Sequence, residues 1–395
     1  MSWPQPQLRR ITHFAYGESL SDDVREEGEV PVYGSNGPVG VHRASNTSGP
    51  VLVVGRKGSF GKIQFSETPV FAIDTTYFVD GSQSSADLKW LYYAMGTLGL
   101  DALSEDVGVP GLSRERAYAQ RLPLPPLAIQ RSIADYLDAE TARIDALIEK
   151  KRRMVELLEE RSQSVIADSN PGAIIYGSDG RPMGIEGVSC PRLGSVSLIQ
   201  TGLTLDQGRE SGAKAVTAPY LRVANVQDGR LDLDVLKEVT VPIDLARRCS
   251  LRPGDVLMTE GGDADKLGRG TVWPGEITPC LHQNHIFAVR TSKDLLPEYL
   301  ALMTRTPYAR AYFEMTASKT TGIASTSTTK IASFRIPLPP IRDQILIVDA
   351  TMEKLNLISQ TRGRVENQID LLAEHRQALV TAAVTGELPV PGVAA

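Results

Sequence analysis

The hydrophobic pattern of the chain is dominated by one stretch that occurs twice. Residues 121–167 align with residues 335–381 without a gap. Each copy opens with Arg-x-Pro-Leu-Pro-Pro, has a glutamine four residues after its last proline (Gln130 and Gln344), and carries a Leu-Leu pair near its far end. An ungapped match over so long a stretch indicates an internal duplication.

Each copy predicts one long helix. The proline run favours an extended segment up to the helix start, and its last proline fits a first-turn position. Apolar residues then recur at steps of three and four, which indicates a heptad seam. The seam positions are Ile133, Leu137, Ile144, Leu147, Met154, Leu158 and Val165 in the first copy, and Val348, Met352, Leu355, Ile358, Val365, Ile369, Leu372 and Leu379 in the second. Because one helix cannot bury such a stripe alone, we expect the two helices to pair as an antiparallel coiled coil.

The remaining sequence forms two blocks with mixed patterns. In the first, the pattern predicts strands at 51–54 and 70–79, and a helix at 88–98 opened by the Ser84-Ser85 cap region. In the second it predicts strands at 220–223 and 286–290 and a helix at 297–313. The apolar residues Leu193, Val196 and Ile199 before Gly202 repeat Leu8, Ile11 and Phe14 before Gly17. The second block therefore repeats the first.

These patterns predict an α+β fold with two pseudo-symmetric globular domains separated by two long helices. The predicted boundaries are 1–122 for the first domain, 123–168 for the first long helix and 169–185 for a linker rich in Gly, Ser, Asn, Asp and Pro. They are 186–336 for the second domain, 337–385 for the second long helix and 386–395 for a C-terminal tail.

Composition narrows the class of protein. The chain has 395 residues, of which 42% are hydrophobic. No apolar run approaches the roughly 20 residues of a membrane span, and the first residues lack signal-peptide character. The three scattered cysteines fit reduced thiols, so we expect a cytoplasmic protein with no membrane association. The net charge of -5 counts mildly against nucleic acid, but a basic face can be offset by acidic residues elsewhere.

The duplicated Pro-Leu-Pro-Pro motifs, the heptads behind them and the segment Val384-Thr385-Gly386 resemble the specificity subunit of type I restriction-modification systems. The resemblance covers essentially the whole chain. One departure is local: the acid that commonly precedes the motif's glutamine is Asp343 in the second copy but Ile129 in the first.

The resemblance implies two target recognition domains, each of which reads one half of an asymmetric bipartite site in double-stranded DNA. It also implies that the helices set the spacer and dock two modification (methyltransferase) subunits, and that restriction subunits supply translocation and cleavage. The sequence lacks an adenine methyltransferase signature, a glycine motif for S-adenosylmethionine and a helicase motif. We therefore expect a non-catalytic subunit without a cofactor; the alternatives are a DNA-binding regulator and a coiled-coil scaffold.

Candidate DNA-binding residues are basic, hydroxyl or amide side chains in loops. Arginine and lysine suit phosphates and guanine, and asparagine and glutamine suit adenine, although each residue is also typical of an ordinary turn or connector. The candidates in the first block are Ser35, Asn36, Arg56, Lys57, Ser59, Lys62, Arg114 and Arg116. Those in the second are Asn225, Lys266, Arg269, Gln283, Asn284, Lys319, Thr321 and Lys330.

Two further sets of residues complete the sequence interpretation. Apolar helix residues are candidates for docking the modification subunits: Leu137, Ile148, Met154, Leu158, Met352, Val365 and Leu372. The cluster Cys280, His282 and His285 offers only three metal ligands, and the first block has no counterpart, so we predict no metal site.

Overall fold

The structure is a computed structural model that describes residues 3–103, 111–170, 175–176, 182–183, 188–204, 215–262, 267–320 and 323–391. It divides into two compact units. Unit 1 comprises residues 1–153 and 365–395, and unit 2 comprises residues 154–364. Each unit contains one globular block and part of both long helices.

Unit 1 is built from short strands and two short helices beside the first long helix. Its strands are β1 (Ala15–Tyr16), β2 (Val30–Gly34), β3 (Gly37–His42), β4 (Val51–Gly55), β5 (Ile63–Ser66), β6 (Phe71–Ala72) and β7 (Thr76–Asp80). Its short helices are α1 (Leu88–Gly96) and α2 (Arg114–Ala119), and the long helix α3 (Leu127–Asp168) begins here and continues into unit 2. The strands form an antiparallel sheet in the order β1-β7-β4-β5 and a second sheet β3-β2-β6, in which β2 and β6 are parallel.

Unit 2 has the same kinds of element and several more. Its strands are β8 (Ile175–Tyr176), β9 (Pro182–Met183), β10 (Ser197–Thr201), β11 (Ala215–Leu221), β12 (Val226–Gln227), β13 (Arg230–Leu231), β14 (Lys237–Pro242), β15 (Val256–Thr259), β16 (Gly261–Gly262), β17 (Gly270–Val272), β18 (Leu281–His282), β19 (Ile286–Thr291), β20 (Ser318–Thr320) and β21 (Ile323–Ser325). Its helices are α4 (Ile243–Cys249), α5 (Pro297–Arg305), α6 (Pro307–Thr316), α7 (Thr328–Ser333) and the long α8 (Ile341–Thr385), which ends in unit 1.

The duplication extends to the sheets. The sheet β10-β19-β15-β17 of unit 2 repeats the order β1-β7-β4-β5, and β14-β11-β18 repeats β3-β2-β6 with the same parallel pair. The start of each block also matches, because the buried residues Leu8 and Leu193 each begin a 3-10 turn. Gly17 and Gly202 follow at the same offset, and a Cβ atom on either would lie within 2.2 Å of a backbone carbonyl oxygen. Only glycine fits so close an approach.

The long helices run antiparallel within each unit. In unit 1 the Arg376 guanidinium pairs with Asp145 at 2.9 Å and the Lys151 amine donates to Gln368 at 2.7 Å, so residue numbers rise on α3 as they fall on α8. In unit 2 Arg362 pairs with Glu159 at 3.0 Å, while Ile166 packs in the same core as Val348. The predicted α+β class with two paired long helices is confirmed.

The seam on α3 differs from the predicted one around its middle. Leu147 is 47% exposed, whereas Ile148 is only 7% exposed. The buried stripe includes Thr141, whose hydroxyl donates to the Leu137 carbonyl at 2.7 Å and also contacts the Tyr93 hydroxyl. A polar residue that satisfies its own hydrogen bonds can occupy a seam position, and the sequence pattern did not include it.

The repeated glutamines tie each long helix to its globular block. The Gln130 amide donates to the Pro125 carbonyl at 2.8 Å and accepts from the Asp87 N–H at 2.8 Å. Gln344 donates to the Pro339 carbonyl at 2.8 Å and accepts from the Leu296 N–H at 2.9 Å. Since Asp87 and Leu296 are the N-caps of α1 and α5, each glutamine fixes a helix start in its block to the proline turn of a long helix.

Some predicted elements differ from the observed ones. The stretch 70–79 is two strands, β6 and β7, separated by a turn, rather than one strand. The predicted helix 297–313 is interrupted before Pro307, where the Thr306 hydroxyl caps α6. The N-cap of α1 is Asp87 and not Ser84 or Ser85. Proline and turn geometry override the apolar periodicity at these places.

The chain ends, as far as it is described, in the core of unit 1. Helix α8 stops at Gly386, whose φ of 80° lies in the left-handed region, and the Leu388 N–H returns to the Ala382 carbonyl at 3.0 Å. Val390 is buried in the same core as Leu137. Within the described ranges, none of the helices combines the length and the apolar character that a membrane crossing requires.

Candidate nucleic-acid interface

Two hairpin turns of unit 1 bring several predicted residues together. Ser35 and Asn36 form the turn between β2 and β3, and residues 56–62 connect β4 with β5. The Lys62 amine donates to the Asn36 side-chain oxygen at 2.7 Å. A Cβ atom on Gly55 would lie 2.9 Å from the Ser35 carbonyl, so the absence of a side chain at Gly55 allows the two turns to pack together.

An exposed aromatic ring organises the arginines beside these turns. The guanidinium carbons of Arg56 and Arg114 lie 5.3 Å and 4.4 Å from the centroid of the Tyr16 ring. Tyr16 is 48% exposed at the end of β1 and packs on Tyr77 at 5.2 Å between centroids. The Tyr77 hydroxyl donates to the Leu112 carbonyl, and burial raises its pKa to about 12. Contact with the ring face holds both guanidinium groups beside the turns, where their donors suit guanine edges or phosphate oxygens.

The other predicted residues of unit 1 differ in position. Lys57 is exposed, and its backbone pairs with Gly111. Ser59 is half-buried in the same loop. Arg116 is half-buried, and its guanidinium donates to the Leu103 carbonyl at 2.9 Å. Tyr16 was not predicted; its signal is an aromatic residue directly before Gly17, the glycine that Gly202 repeats.

Strand register identifies the equivalent positions in unit 2. Tyr16 pairs with Tyr77 on β7, as Thr201 pairs with Phe287 on β19. The Arg56 N–H donates to the Thr75 carbonyl, and the Glu260 N–H donates to the His285 carbonyl, at 2.9 Å and 2.8 Å. Ser113 and Ser327 cap α2 and α7, so Thr328 matches Arg114.

The same backbone therefore presents different chemistry in the two units. The tyrosine and two arginines of unit 1 are replaced by two threonines and a glutamate. His285 Nδ1 lies 2.6 Å from a Glu260 carboxylate oxygen, and the Glu260 carbonyl accepts from the Thr326 N–H at 2.8 Å. Sequence reasoning missed Glu260, and only the strand register reveals its correspondence to Arg56.

Asn225, predicted to contact DNA, serves the fold instead. It is buried, its side-chain oxygen accepts from the Arg222 N–H, and its amide nitrogen donates to the Asp232 and Val235 carbonyls. Its buried amide makes three hydrogen bonds within unit 2, so it is not presented to a base.

The remaining predicted residues of unit 2 lie around the same edge or outside the described residues. Gln283 and Asn284 are half-buried in the turn that contains His285. Arg269 precedes β17, and its carbonyl accepts from the Thr259 N–H at 3.3 Å. The Lys330 amine donates to the Ser318 hydroxyl at 2.6 Å, and Lys319 lies in β20. Lys266 and Thr321 lie outside the described residues.

His282 and Cys280 are core residues. His282 Nδ1 lies 2.9 Å from the Ile286 carbonyl oxygen, and burial lowers the pKa of the imidazole to about 4. Burial also raises the pKa of the Cys280 thiol to about 12. Both side chains are enclosed, whereas His285 is exposed and paired with Glu260.

The predicted docking residues fall into three groups by exposure. Leu137, Ile148 and Val365 are buried within their units. Leu158 and Leu372 are half-buried. Met154 and Met352 are exposed. Met352 lines a half-open pocket of about 460 Å³ in unit 2, together with Leu302, Val348, Arg230 and Arg305.

Comparison with solved structures defines the class of fold. A chain from a structure described as "Structural basis underlying complex assembly and conformational transition of the type I R-M system" matches with a TM-score of 0.72, covering 98% of both chains at 15% identity. The crystal structure of the HsdS subunit from Thermoanaerobacter tengcongensis matches with a TM-score of 0.56, covering 98% of this chain and 97% of that one at 16% identity. The chain has the fold of these proteins.

Sequence comparison leads to the same class. No family model matches the chain. It is 25% identical over 272 residues to the type I restriction enzyme EcoKI specificity subunit of Escherichia coli (strain K12), which covers 68% of this chain and 57% of that protein. It is 23% identical over 364 residues to the EcoBI specificity subunit of Escherichia coli, which covers 85% of this chain and 73% of that protein. The resemblance to type I specificity subunits is therefore confirmed, and the EcoKI match spans little more than half of that relative's length.

Proposed function

We propose that this chain is the DNA sequence-specificity subunit of a type I restriction-modification complex. Each globular block reads one half of an asymmetric, bipartite site in double-stranded DNA. The observation that carries this proposal is the duplicated fold whose equivalent edges present different side chains, Tyr16, Arg56 and Arg114 in one unit and Thr201, Glu260 and Thr328 in the other. Equal frameworks with unequal surfaces suit two unlike half-sites.

The chain acts by recognition and assembly in this proposal, and its partners carry the chemistry. Two modification subunits transfer methyl groups to adenine, and restriction subunits translocate and cleave DNA. We propose two modification subunits because the long helix is present in two copies. Exposed apolar residues on the helices, including Met154, Leu157 and Leu357, are suited to that contact.

A coiled-coil scaffold is the main competing function. The long helices alone would satisfy it. However, a scaffold gives no reason to hold two arginines against an exposed tyrosine at the turn edge of unit 1. A regulator of transcription would share the DNA contact but would not require a duplicated helix surface for catalytic partners.

The test is to co-express the full chain with the modification subunit of its own host, in cells that lack adenine methylation, and to map methylated adenines across the genome. We expect one motif in two unlike blocks with a fixed gap. The modification subunit expressed alone is the control and should leave no motif. A stable complex that methylates adenines without such a motif, or no complex at all, would contradict the proposal.

A further inference from the structure

We propose that Glu260 and His285 form the base-reading pair of unit 2, and that Glu260 selects a base with an exocyclic amino group, which is cytosine or adenine. This inference rests on the proposed function and deepens it. It assigns to unit 2 a preference opposite to that of unit 1, where Arg56 occupies the same backbone position.

The backbone holds Glu260 firmly. Its N–H donates to the His285 carbonyl at 2.8 Å, and its carbonyl accepts from the Thr326 N–H at 2.8 Å. Glu260 directly follows β15 and His285 directly precedes β19, which are neighbouring strands of one sheet. A side chain placed by sheet ends on both sides loses little entropy when it meets a ligand.

The side-chain pair fixes which groups remain for a ligand. An ionised carboxylate only accepts hydrogen bonds, so the 2.6 Å contact requires His285 Nδ1 to carry the proton. One carboxylate has about four lone-pair sites, so the histidine leaves further acceptor capacity on Glu260. The side chains of His285 and Glu260 are 50% and 27% exposed, so both can be reached from solvent.

The charge of Glu260 restricts the partner. A carboxylate repels phosphate oxygens and the O6 and N7 acceptors of guanine, but it accepts from the N4 amino group of cytosine or the N6 amino group of adenine. A guanidinium has the reverse preference. The same position in the two repeats, Arg56 and Glu260, therefore favours acceptor-presenting bases in one half-site and donor-presenting bases in the other.

A purely structural role is the competing explanation, because the pair also connects the ends of two strands. The variant Glu260→Gln distinguishes the structural role from the base-reading role. The glutamine oxygen still accepts from His285, so the connection between the strands is retained. Its amide nitrogen is a donor and faces the base with the opposite polarity.

The experiment uses the full chain co-expressed with its modification subunit and reads the methylated motif. Glu260→Gln should relax one base position, with roughly tenfold or greater loss of discrimination there, and the other block should stay unchanged. Whether the wild-type motif has cytosine or adenine at that position distinguishes the two bases.

Glu314→Gln, at an exposed glutamate of α6, is the matched control and should leave the motif intact. Arg56→Gln should alter only the opposite block.

The outcomes separate the inference from the function on which it rests. If the wild-type chain yields no bipartite motif, the proposed function fails. If the wild type yields the motif but Glu260→Gln leaves every position unchanged, only the base-reading role fails. Methylation lost at all sites would show that the pair serves the fold, and would also overturn the inference.

Discussion

At the scale of single residues, burial decides what each histidine of unit 2 can do. His282 is enclosed between the Ile286 carbonyl and the Gln200 amide, whereas His285 stands at the exposed edge. Burial lowers the pKa of His282 to about 4 from an ordinary value of 6.5. The folded state therefore excludes the charged ring at pH values where the unfolded chain accepts a proton.

This difference predicts an acid-dependent loss of stability. Above pH 6.5 His282 is neutral in both the folded and the unfolded chain and does not affect the free energy of unfolding. As the pH falls from 6.5 toward 4, only the unfolded chain takes up the proton, and the free energy of unfolding falls by roughly 3 kcal/mol. His282→Gln retains hydrogen-bonding groups without a proton to gain, so its stability should fall less over that range. Urea unfolding at pH 7 and pH 5 measures the difference.

His13→Gln, at an exposed histidine of unit 1, is the control for the loss of an imidazole and should match the wild type at both pH values. Equal pH slopes for His282→Gln and the wild type would show that His282 does not contribute to the acid sensitivity.

The residue scale is also where sequence reasoning was least complete. Arg56 and Arg114 could be nominated because loop arginines suit nucleic acid, but Tyr16, which orders them, comes from a different element. Asn225 has the composition of a base contact, yet its amide is consumed by the backbone. Local sequence does not show which elements lie close together or which side chains are already hydrogen-bonded. The three-dimensional structure was needed for both.

At the scale of elements, the long helices and their starts could be predicted because proline and heptad periodicity act locally. The buried face of α3 was misplaced where Thr141 takes a seam position, since its hydroxyl is satisfied within the protein. Helix 297–313 was predicted as one piece although Pro307 gave a visible reason for a break. Local rules thus fix the existence of elements better than their faces and ends.

The repeated glutamines show how an element is attached to its domain, and they carry a prediction. In Gln344→Leu the Leu296 N–H and the Asp294 and Pro339 carbonyls lose the buried Gln344 amide as their partner. Unpaired buried groups cost about 1–3 kcal/mol, so the free energy of unfolding should fall by that amount in urea titration.

Gln360→Leu, at an exposed glutamine of the same helix, is the matched control and should change stability by less than about 0.5 kcal/mol. Gln130→Leu should repeat the effect in unit 1, because Gln130 bonds to the Asp87 N–H and the Pro125 carbonyl in the same way. Similar losses in Gln360→Leu and Gln344→Leu would mean that the glutamine bonds add no stability of their own.

At the scale of the whole molecule, the duplication gives the proposed function its physical basis, two unlike reading surfaces on one framework. Two copies of one framework have kept the sheet order and the glutamine attachment, while the side chains at the turn edges have diverged. In the proposed function the paired helices also determine the distance between the two half-sites. That role depends on helix length and not on the identity of any single residue.

The helix role is tested by removing one heptad from each helix, residues 149–155 of α3 and 364–370 of α8. This deletion removes Lys151 and Gln368 together and retains the pairs Asp145–Arg376 and Glu159–Arg362. Seven residues shorten a helix by about 10 Å, which is about three base pairs of B-DNA. We expect the gap in the methylated motif to shorten by about that number, while the bases of both blocks stay the same.

The double variant Lys151→Ala, Gln368→Ala keeps the helix length and should keep the gap. An unchanged gap would show that something other than helix length sets the spacer. Because the deletion leaves both turn edges intact, altered bases within a block would show that the helices do more than set the spacing.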